Sequence, residues 1–579
     1  MAVEDIYEPL ERYKSELKEL FRKNAEEAFD EIEQLSGIDI EANKKLCRQI
    51  AELEKKIDSG RSRLGWLKAL RVILILVSIA LIALPFCYRK LFGAAGGENA
   101  MLYVVLGALC GVGMLIYVFT GLRRKINNEQ AAVDLLQAQF DEALATAWQQ
   151  MDSVNSLFSW DIPVKLIQKT IPNIQFDSFF NAARLTELCD DFGYDGFLNK
   201  NASVLFAHSG EIKGNPFVIA KKRDFRMGVK TYTGYKTIYW TSYVYDKGKR
   251  RAVPRSQVLS ASVTKPCPEF NENTFLLYAN EAAPNLSFSR QPEGLAEDSL
   301  FVNFRKRRKR KSLERFSRDL TDDSDYTMMS NQEFEVLFET KNRDNEVEYR
   351  LLFTALAQRS IMALMNDNVD GYGDDFSVVK RKMLNVVYPS HFAQFDLDTN
   401  PKQFVGYDFE NVKKRFISIN ENYFRSIYFA FAPLLSIPLY QQTRTRKEIY
   451  GEDLLRKSSY WEWESIANHQ GEKNFAHPQS VTNNILKAKY HRRVDDDKHE
   501  ITITAHGYSG TKCVDHVRVF GGDGKYHTVD VEWIRYDHVS HDSTMVISEH
   551  PDTDKTIVRE EPIRNFTTHN FRRKILYNS

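Results

Sequence analysis

Two uncharged apolar runs constrain this chain more than any other feature. Val72–Phe86 (VILILVSIALIALPF) carries no charge, and neither does Met101–Leu122 (MLYVVLGALCGVGMLIYVFTGL). Fifteen helical residues rise only about 22 Å, short of a hydrocarbon core of roughly 30 Å. Extending the first run to Trp66–Tyr88 gives about 34 Å and sets an aromatic residue at each end, where membrane interfaces favour them. Lys68 and Arg71 lie near one end and can snorkel to headgroups. A core helix of a soluble protein rarely stays apolar on every face for so long, and two in succession are rarer. The expectation is a membrane hairpin: helices over 66–88 and 101–122, joined by a short external loop over 89–100 containing Gly93, Gly96 and Gly97. About 65 mostly polar residues precede the first run, which excludes a cleaved leader.

Charge sets the orientation. Lys55, Lys56, Arg61, Arg63, Lys68 and Arg71 precede or open the first span, and Arg123, Arg124 and Lys125 follow the second. The loop holds only Arg89 and Lys90. The positive-inside rule then puts both termini in the cytoplasm. The six cysteines are scattered and form no CxxC, which agrees with a reducing compartment. Net charge is +1 over 579 residues, so no global field favours nucleic acid. Gly107 and Gly111 form a GxxxG that lets helices approach closely, although glycine is common in membrane helices generally.

Residues 1–65 are expected to form cytosolic amphipathic helices. Leu10, Tyr13, Leu17, Leu20, Phe21, Ala25, Phe29 and Ile32 recur at helical spacing, and the pattern breaks near Ser36–Gly37. Leu46, Ile50, Leu53 and Ile57 then repeat as in a short coiled coil. After the second span, 123–157 reads as another amphipathic helix with Val133, Leu136, Phe140, Leu144, Trp148 and Met151 on one stripe. Flanking a tight hairpin, the two helices form either an antiparallel stalk or an intermolecular pairing surface.

From about Ser159 the texture changes to α+β: a cytosolic domain over 158–450 and a β-rich C-terminal extension over 451–579. Phe176–Phe192 reads as helix. Lys230–Tyr245 (KTYTGYKTIYWTSYVY) reads as strand with a turn at Gly234, and Ser256–Thr264 and Thr274–Tyr278 as further strands. Ala355–Met365, Phe409–Tyr428 and Val481–Tyr490 read as helices. Glu500–Ile547 reads as short strands with turns at Gly507 and at Phe520–Lys525. Ser426–Tyr440 is apolar but short, with Pro433 and Pro438, so core burial is expected over a third span.

The stretch Glu333–Leu364 (EFEVLFETKNRDNEVEYRLLFTALAQRSIMAL) resembles a bacterial membrane-protein family known only as domain of unknown function 3137. Glu333, Phe334, Glu335, Phe338, Asp344, Glu346, Glu348, Arg350, Leu351, Leu352 and Thr354 carry the resemblance, which covers roughly residues 60–400. It implies a two-helix membrane hairpin before a cytosolic domain and a bacterial inner membrane. It implies no activity. The long N-terminal helical region and the C-terminal extension depart from it.

Candidate chemistry is sparse. The basic run Arg305, Lys306, Arg307, Arg308, Lys309, Arg310 and Lys311 could meet anionic headgroups or nucleic acid. It lies far from the spans, and acidic Asp319–Asp325 follows, so a solvated linker is the favoured expectation. Asn366–Ser377 (NDNVDGYGDDFS) approaches a calcium loop. Asn stands at its first position and Ser377 at its twelfth, where a bidentate Glu is needed, so an acidic turn is expected. Eleven of thirteen histidines follow residue 460, without metal-ligand spacing. His506–Gly510 (HGYSG) fails GxSxG, and Cys513 near His506 or His516 is only a nominal dyad. No nucleotide-binding glycine loop occurs. No metal or cofactor is expected. Three functions remain open: a membrane-tethered binding or scaffold module with an unknown protein partner, an enzyme with an unrecognised site, and a hairpin-lined pore. The first is favoured. The bilayer and self-association through stalk or hairpin are the expected partners, and nucleic acid is not.

Overall fold

The computed structural model describes residues 6–92, 98–246, 249–295, 300–318, 326–395, 397, 399–445, 454, 457–495, 498–548 and 575–576. The chain divides into two compact units. One contains residues 1–26, 159–400 and 419–579, the other 27–158 and 401–418. A segment of the first unit begins at Ser159. The helical block 1–65 is itself divided at Glu26, and the C-terminal extension belongs to the same unit as the preceding α+β region.

The helical unit is built on α3 (Ile40–Phe92), preceded by α2 (Lys18–Ser36) after the short α1 (Pro9–Arg12). Gly37, at φ 60°, ends α2 in the left-handed conformation that a side chain resists. Asp39 caps α3 by accepting from the Ala42 amide at 3.0 Å. Helix α3 runs without interruption through the stalk and the first apolar run, about 80 Å in all. The return path is α4 (Glu98–Tyr117), a π-helical turn at Val118–Leu122, and α5 (Arg123–Asn155). The expected loop over 89–100 is thus mostly helix; residues 93–97 lie outside the described residues.

The two arms pair antiparallel within one chain. Asn43 Nδ2 lies 3.3 Å from Gln150 Oε1, Arg61 Nη2 3.0 Å from Gln137 Oε1, and Lys68 Nζ 3.4 Å from Gln130 Oε1. Each step up α3 is matched by a step down α5. Ile50, Ile57 and Leu64 on α3 and Leu122, Ile126 and Val133 on the returning arm are buried along the seam. Trp148 is a correction: it is 42% exposed, and Ala147 takes its place in the buried stripe. Residues 401–418 complete this unit, with Phe409 and Phe416 against Phe29 at 5.4 and 5.3 Å between ring centres.

The α+β unit contains α6 (Ile162–Thr170), β1 (Ile174–Phe176), α7 (Ala182–Asp190), β2 (Ala202–Ile212), β3 (Asn215–Asp246), β4 (Lys249–Ala279), β5 (Ser287–Arg290) and α8 (Leu300–Phe316). It continues with α9 (Gln332–Phe338), α10 (Glu346–Leu352), α11 (Ala355–Asn366), β6 (Phe376–Arg381) and β7 (Leu384–Pro389). Then come α12 (Phe409–Leu435), α13 (Tyr460–Gly471), β8 (Ile485–Asp495), β9 (Lys498–Phe520), β10 (Tyr526–Ser548) and β11 (Ile575–Leu576). The first sheet is antiparallel in the order β1-β2-β3-β4-β7-β6-β5, the second β11-β10-β9-β8.

The first sheet is covered on both faces, which explains the unbroken apolar run Phe275–Ala279 at its centre. Val218, Ala220, Phe275, Leu277 and Val386 pack with Phe180 and Leu188 near α7 and with Trp461 of α13. On the other face Phe217 meets Phe431 of α12 edge-on at 4.9 Å. Ser426–Tyr440 is therefore a core element, as its length suggests: Ile427, Tyr428, Phe431, Leu435 and Tyr440 are buried. The N-terminus adds to this core, Phe21 stacking on Phe424 at 4.2 Å and Tyr428 Oη donating to Pro9 O at 2.7 Å.

Several strand expectations need correction. Gly234 is not at a turn but in the middle of β3, and Ser256–Thr264 and Thr274–Tyr278 are parts of the single strand β4. Glu500–Ile547 is not a set of short strands. It is two 23-residue strands that pair along their whole length. Val481–Tyr490 enters β8, not a helix, and Phe176–Phe192 yields only the nine-residue α7. The glycines mislead because they mark close approaches, not reversals. A Cβ on Gly234 would sit 2.1 Å from Asp530 O, and one on Gly507 2.2 Å from Asn484 Oδ1. The turn expected at Phe520–Lys525 is present, with Gly524 at φ 80°. At the Gly234 crossing, Ile238, Leu259 and Ala261 of one long hairpin bury against Val529 and Val531 of the other.

Candidate functional site: basic helix, histidine cleft and hairpin glycines

The basic run is not a solvated linker. It forms helix α8, anchored through one stripe: Val302 and Leu313 are buried, and Lys309 pairs with Glu293 at 2.8 Å and with Glu339. Burial opposes ionisation of Glu339, yet hydrogen bonds from Lys309 and Lys341 hold its carboxyl down at about 2. Lys309 is thus a structural cation. Arg310 sits 3.7 Å from Glu314 one turn on, a pairing that contributes a few tenths of a kcal/mol at most. Arg305, Arg307, Arg308, Lys311 and Arg315 are exposed and make no ion pair among the described residues. Phe301 and Phe304 stand beside them, 72% and 64% exposed. The sequence pointed to the charge and missed both phenylalanines. Asp319–Asp325 lies outside the described residues.

A second arrangement was hidden in the terminal histidines. His506 on β9 and His538 on β10 lie on directly neighbouring strands, with Nδ1 of the first 3.3 Å from Nε2 of the second and the rings stacked at 5.4 Å. Tyr508, Phe225, Lys200 and Lys487 join them around a cleft of about 240 Å³. Burial lowers the His506 pKa, and the neighbouring His538 lowers it further, which favours the neutral form of His506. Among the described residues no three His, Cys, Asp or Glu side chains gather as a metal would need.

The other nominal motifs dissolve. His506 and Cys513 are seven residues apart along one strand, roughly 24 Å, and His516 pairs instead with Asp530 at 2.6 Å. Ser509 lies mid-strand, donating to Asp537 O at 3.3 Å, with no elbow. In the calcium-like loop, Asp367 Oδ1 accepts from the Val369, Asp370 and Gly371 amides, at 2.8 Å for Gly371. Arg425 donates to the carbonyls of Val369, Asp370 and Gly371, while Lys14 and Lys18 pair with Asp367 and Asp370. Of the loop's calcium-ligand positions, Asp370 pairs with Lys18 and Asp374 with Arg290.

In the hairpin, the two glycines differ. Gly111 is buried against α3, where a Cβ would lie 3.0 Å from Ser78 O and 3.1 Å from Ile82 Cγ1. Nothing lies within 4 Å of a Cβ on Gly107. The GxxxG therefore contributes one close approach, made inside the chain. Ser78 and Thr120 each donate to the carbonyl four residues back, at 2.6 Å. The outward positions Ile73, Leu76, Ile79, Leu106, Leu109 and Ile116 are exposed and apolar, and both helices are long and apolar enough to cross a membrane. Comparison with models of known protein families, with curated proteins and with solved structures finds no match to this chain.

Proposed function

We propose that this protein is a two-pass membrane-anchored binding module, its α+β unit working at the cytoplasmic face with both termini on that side. The observation carrying this reading is the hairpin: two paired helices whose outward side chains carry no charge over 72–83 and 105–119. Exposed Leu and Ile over that length need a lipid or protein cover. The family resemblance at Glu333–Leu364 supports a bacterial inner membrane. The absence of catalytic spacing in the sequence favours binding over catalysis. The test is extraction of the full chain from membranes with alkaline carbonate, together with accessibility of cysteines placed at Gly96 and in the C-terminal tail. Retention in the membrane with Gly96→Cys labelled only from outside supports the reading; release into the supernatant sinks it.

The histidine cleft supports a second reading, a membrane-anchored enzyme or small-ligand receptor. Its observation is the convergence of two imidazoles, a tyrosine hydroxyl and two lysines on one concave surface.

A further inference from the structure

The exposed face of α8 combines two features for which the described residues provide no partner. One turn presents Phe301 and Phe304 to solvent, where burying each ring would be favourable. The turns that follow present Arg307, Arg308, Lys311 and Arg315 on the side away from the Val302–Leu313 stripe, with Arg305 exposed at its flank. The helix is held by that stripe and by Lys309, so its outer face is rigidly displayed and costs little further ordering on binding.

We infer that α8 is a docking helix for an anionic lipid surface, with Phe301 and Phe304 entering the headgroup–acyl boundary and the outer arginines and Lys311 engaging lipid phosphates. Convex aromatic side chains rimmed by cations fit an interface that is apolar inside and anionic outside. Nucleic acid also attracts such charge, but stacking of bases uses aromatic faces laid on a platform, not rings projecting from one helical turn. Arginine suits phosphate because its planar fork donates two parallel hydrogen bonds. The inference rests on the membrane-anchored reading, because the tether keeps a lipid surface at high local concentration. A hairpin alone fixes the chain in a membrane of any lipid. Docking of α8 adds dependence on lipid charge and a second contact, which salt would loosen.

The test uses the full chain with its hairpin sealed in amphipol, mixed with vesicles of phosphatidylcholine alone or with one quarter phosphatidylglycerol. Binding is expected to be roughly ten-fold tighter to the anionic vesicles and to weaken as salt rises. Arg305→Gln, Arg307→Gln, Arg308→Gln and Lys311→Gln together should remove that preference, while lysine at the three arginine positions should keep most of it. Phe301→Ser with Phe304→Ser should weaken vesicle binding at every salt concentration. Equal binding to both vesicles, or a preference that survives the glutamine variant, overturns the inference. So does full competition by single-stranded RNA with no effect of the serine variant. Carbonate extraction of the untreated membrane is read separately: a chain that extracts yet binds anionic vesicles loses the anchor and keeps the helix, and the converse loses only the helix.

Discussion

Lys487 of β8 places its ammonium 3.0 Å from the carboxylate of Glu464 on α13, a side chain 1% exposed. The other oxygen of Glu464 accepts from Asn199 Nδ2 at 3.1 Å and from the Val204 amide at 3.0 Å. Lys487 also donates to the carbonyls of Asn199 and Ala202, at 2.8 Å each. One ion pair thus ties the C-terminal strands to the edge of the first sheet. Lys487→Met should leave a buried carboxylate unpaired and cost about 3 kcal/mol at pH 7. Burial already raises the Glu464 pKa, and the variant raises it further. The loss should shrink as the pH falls and Glu464 takes up a proton. Urea unfolding of both proteins at pH 7 and pH 5 measures it; an equal cost at both pH values contradicts the pairing.

Asp161 is fully buried, and neither carboxylate oxygen has a hydrogen-bond partner among the described residues. Burial pushes its pKa up to about 7, which Lys165, 3.8 Å away, only partly offsets. The folded pKa lies above the unfolded one, so the protonated form stabilises the fold at low pH. That contribution is lost as pH rises from about 4 through about 7. Asp161→Asn should raise the melting temperature at pH 8 and leave it almost unchanged at pH 4. A variant that melts earlier at pH 8 would show that the carboxylate is stabilised there.

The long hairpins cross where Gly234 meets the Asp530 carbonyl. Gly234→Val should push β10 off β3 and cost roughly 1–3 kcal/mol by overpacking. Gly193, at positive φ (Gly234 is not) but with open space around it, serves as the contrast: Gly193→Ala should cost only backbone strain, about 1 kcal/mol. Denaturation midpoints of the two variants decide the matter, and equal midpoints would sink the account of Gly234.

Arg61 and Gln137 touch across the two arms of one chain. Cysteines at both positions should crosslink on mild oxidation and migrate as a monomer. A dimer band that dilution removes would mean that the arms pair between chains.

In the apolar hairpin, Gly111→Leu should weaken the pairing of α3 with α4 because its Cβ meets Ser78 and Leu81, while Gly107→Leu should be tolerated. Protease resistance of the hairpin in detergent distinguishes them. Equal sensitivity would show that the glycine pair acts as one motif.

The helices were legible because their signals are local. Hydropathy and 3.6-residue periodicity mark α3, α5 and α12 without reference to any partner, and Gly37 and the Phe520–Lys525 turn sit where a chain must reverse. The long strands were not, because their length is set by what packs on them. Gly234 and Gly507 look like turn residues until another backbone or side chain is seen against them. The basic run was visible as charge, but its helical state rests on Val302, Leu313 and the Lys309 pairs, supplied by residues up to thirty positions away. The meeting of His506 with His538 depends on strand register, which only pairing fixes. By itself the sequence determined that two segments are apolar enough to leave water and that an α+β region follows Ser159. Tertiary structure alone decided that the C-terminal extension closes onto that region, because burying Trp461 and Glu464 requires both at once.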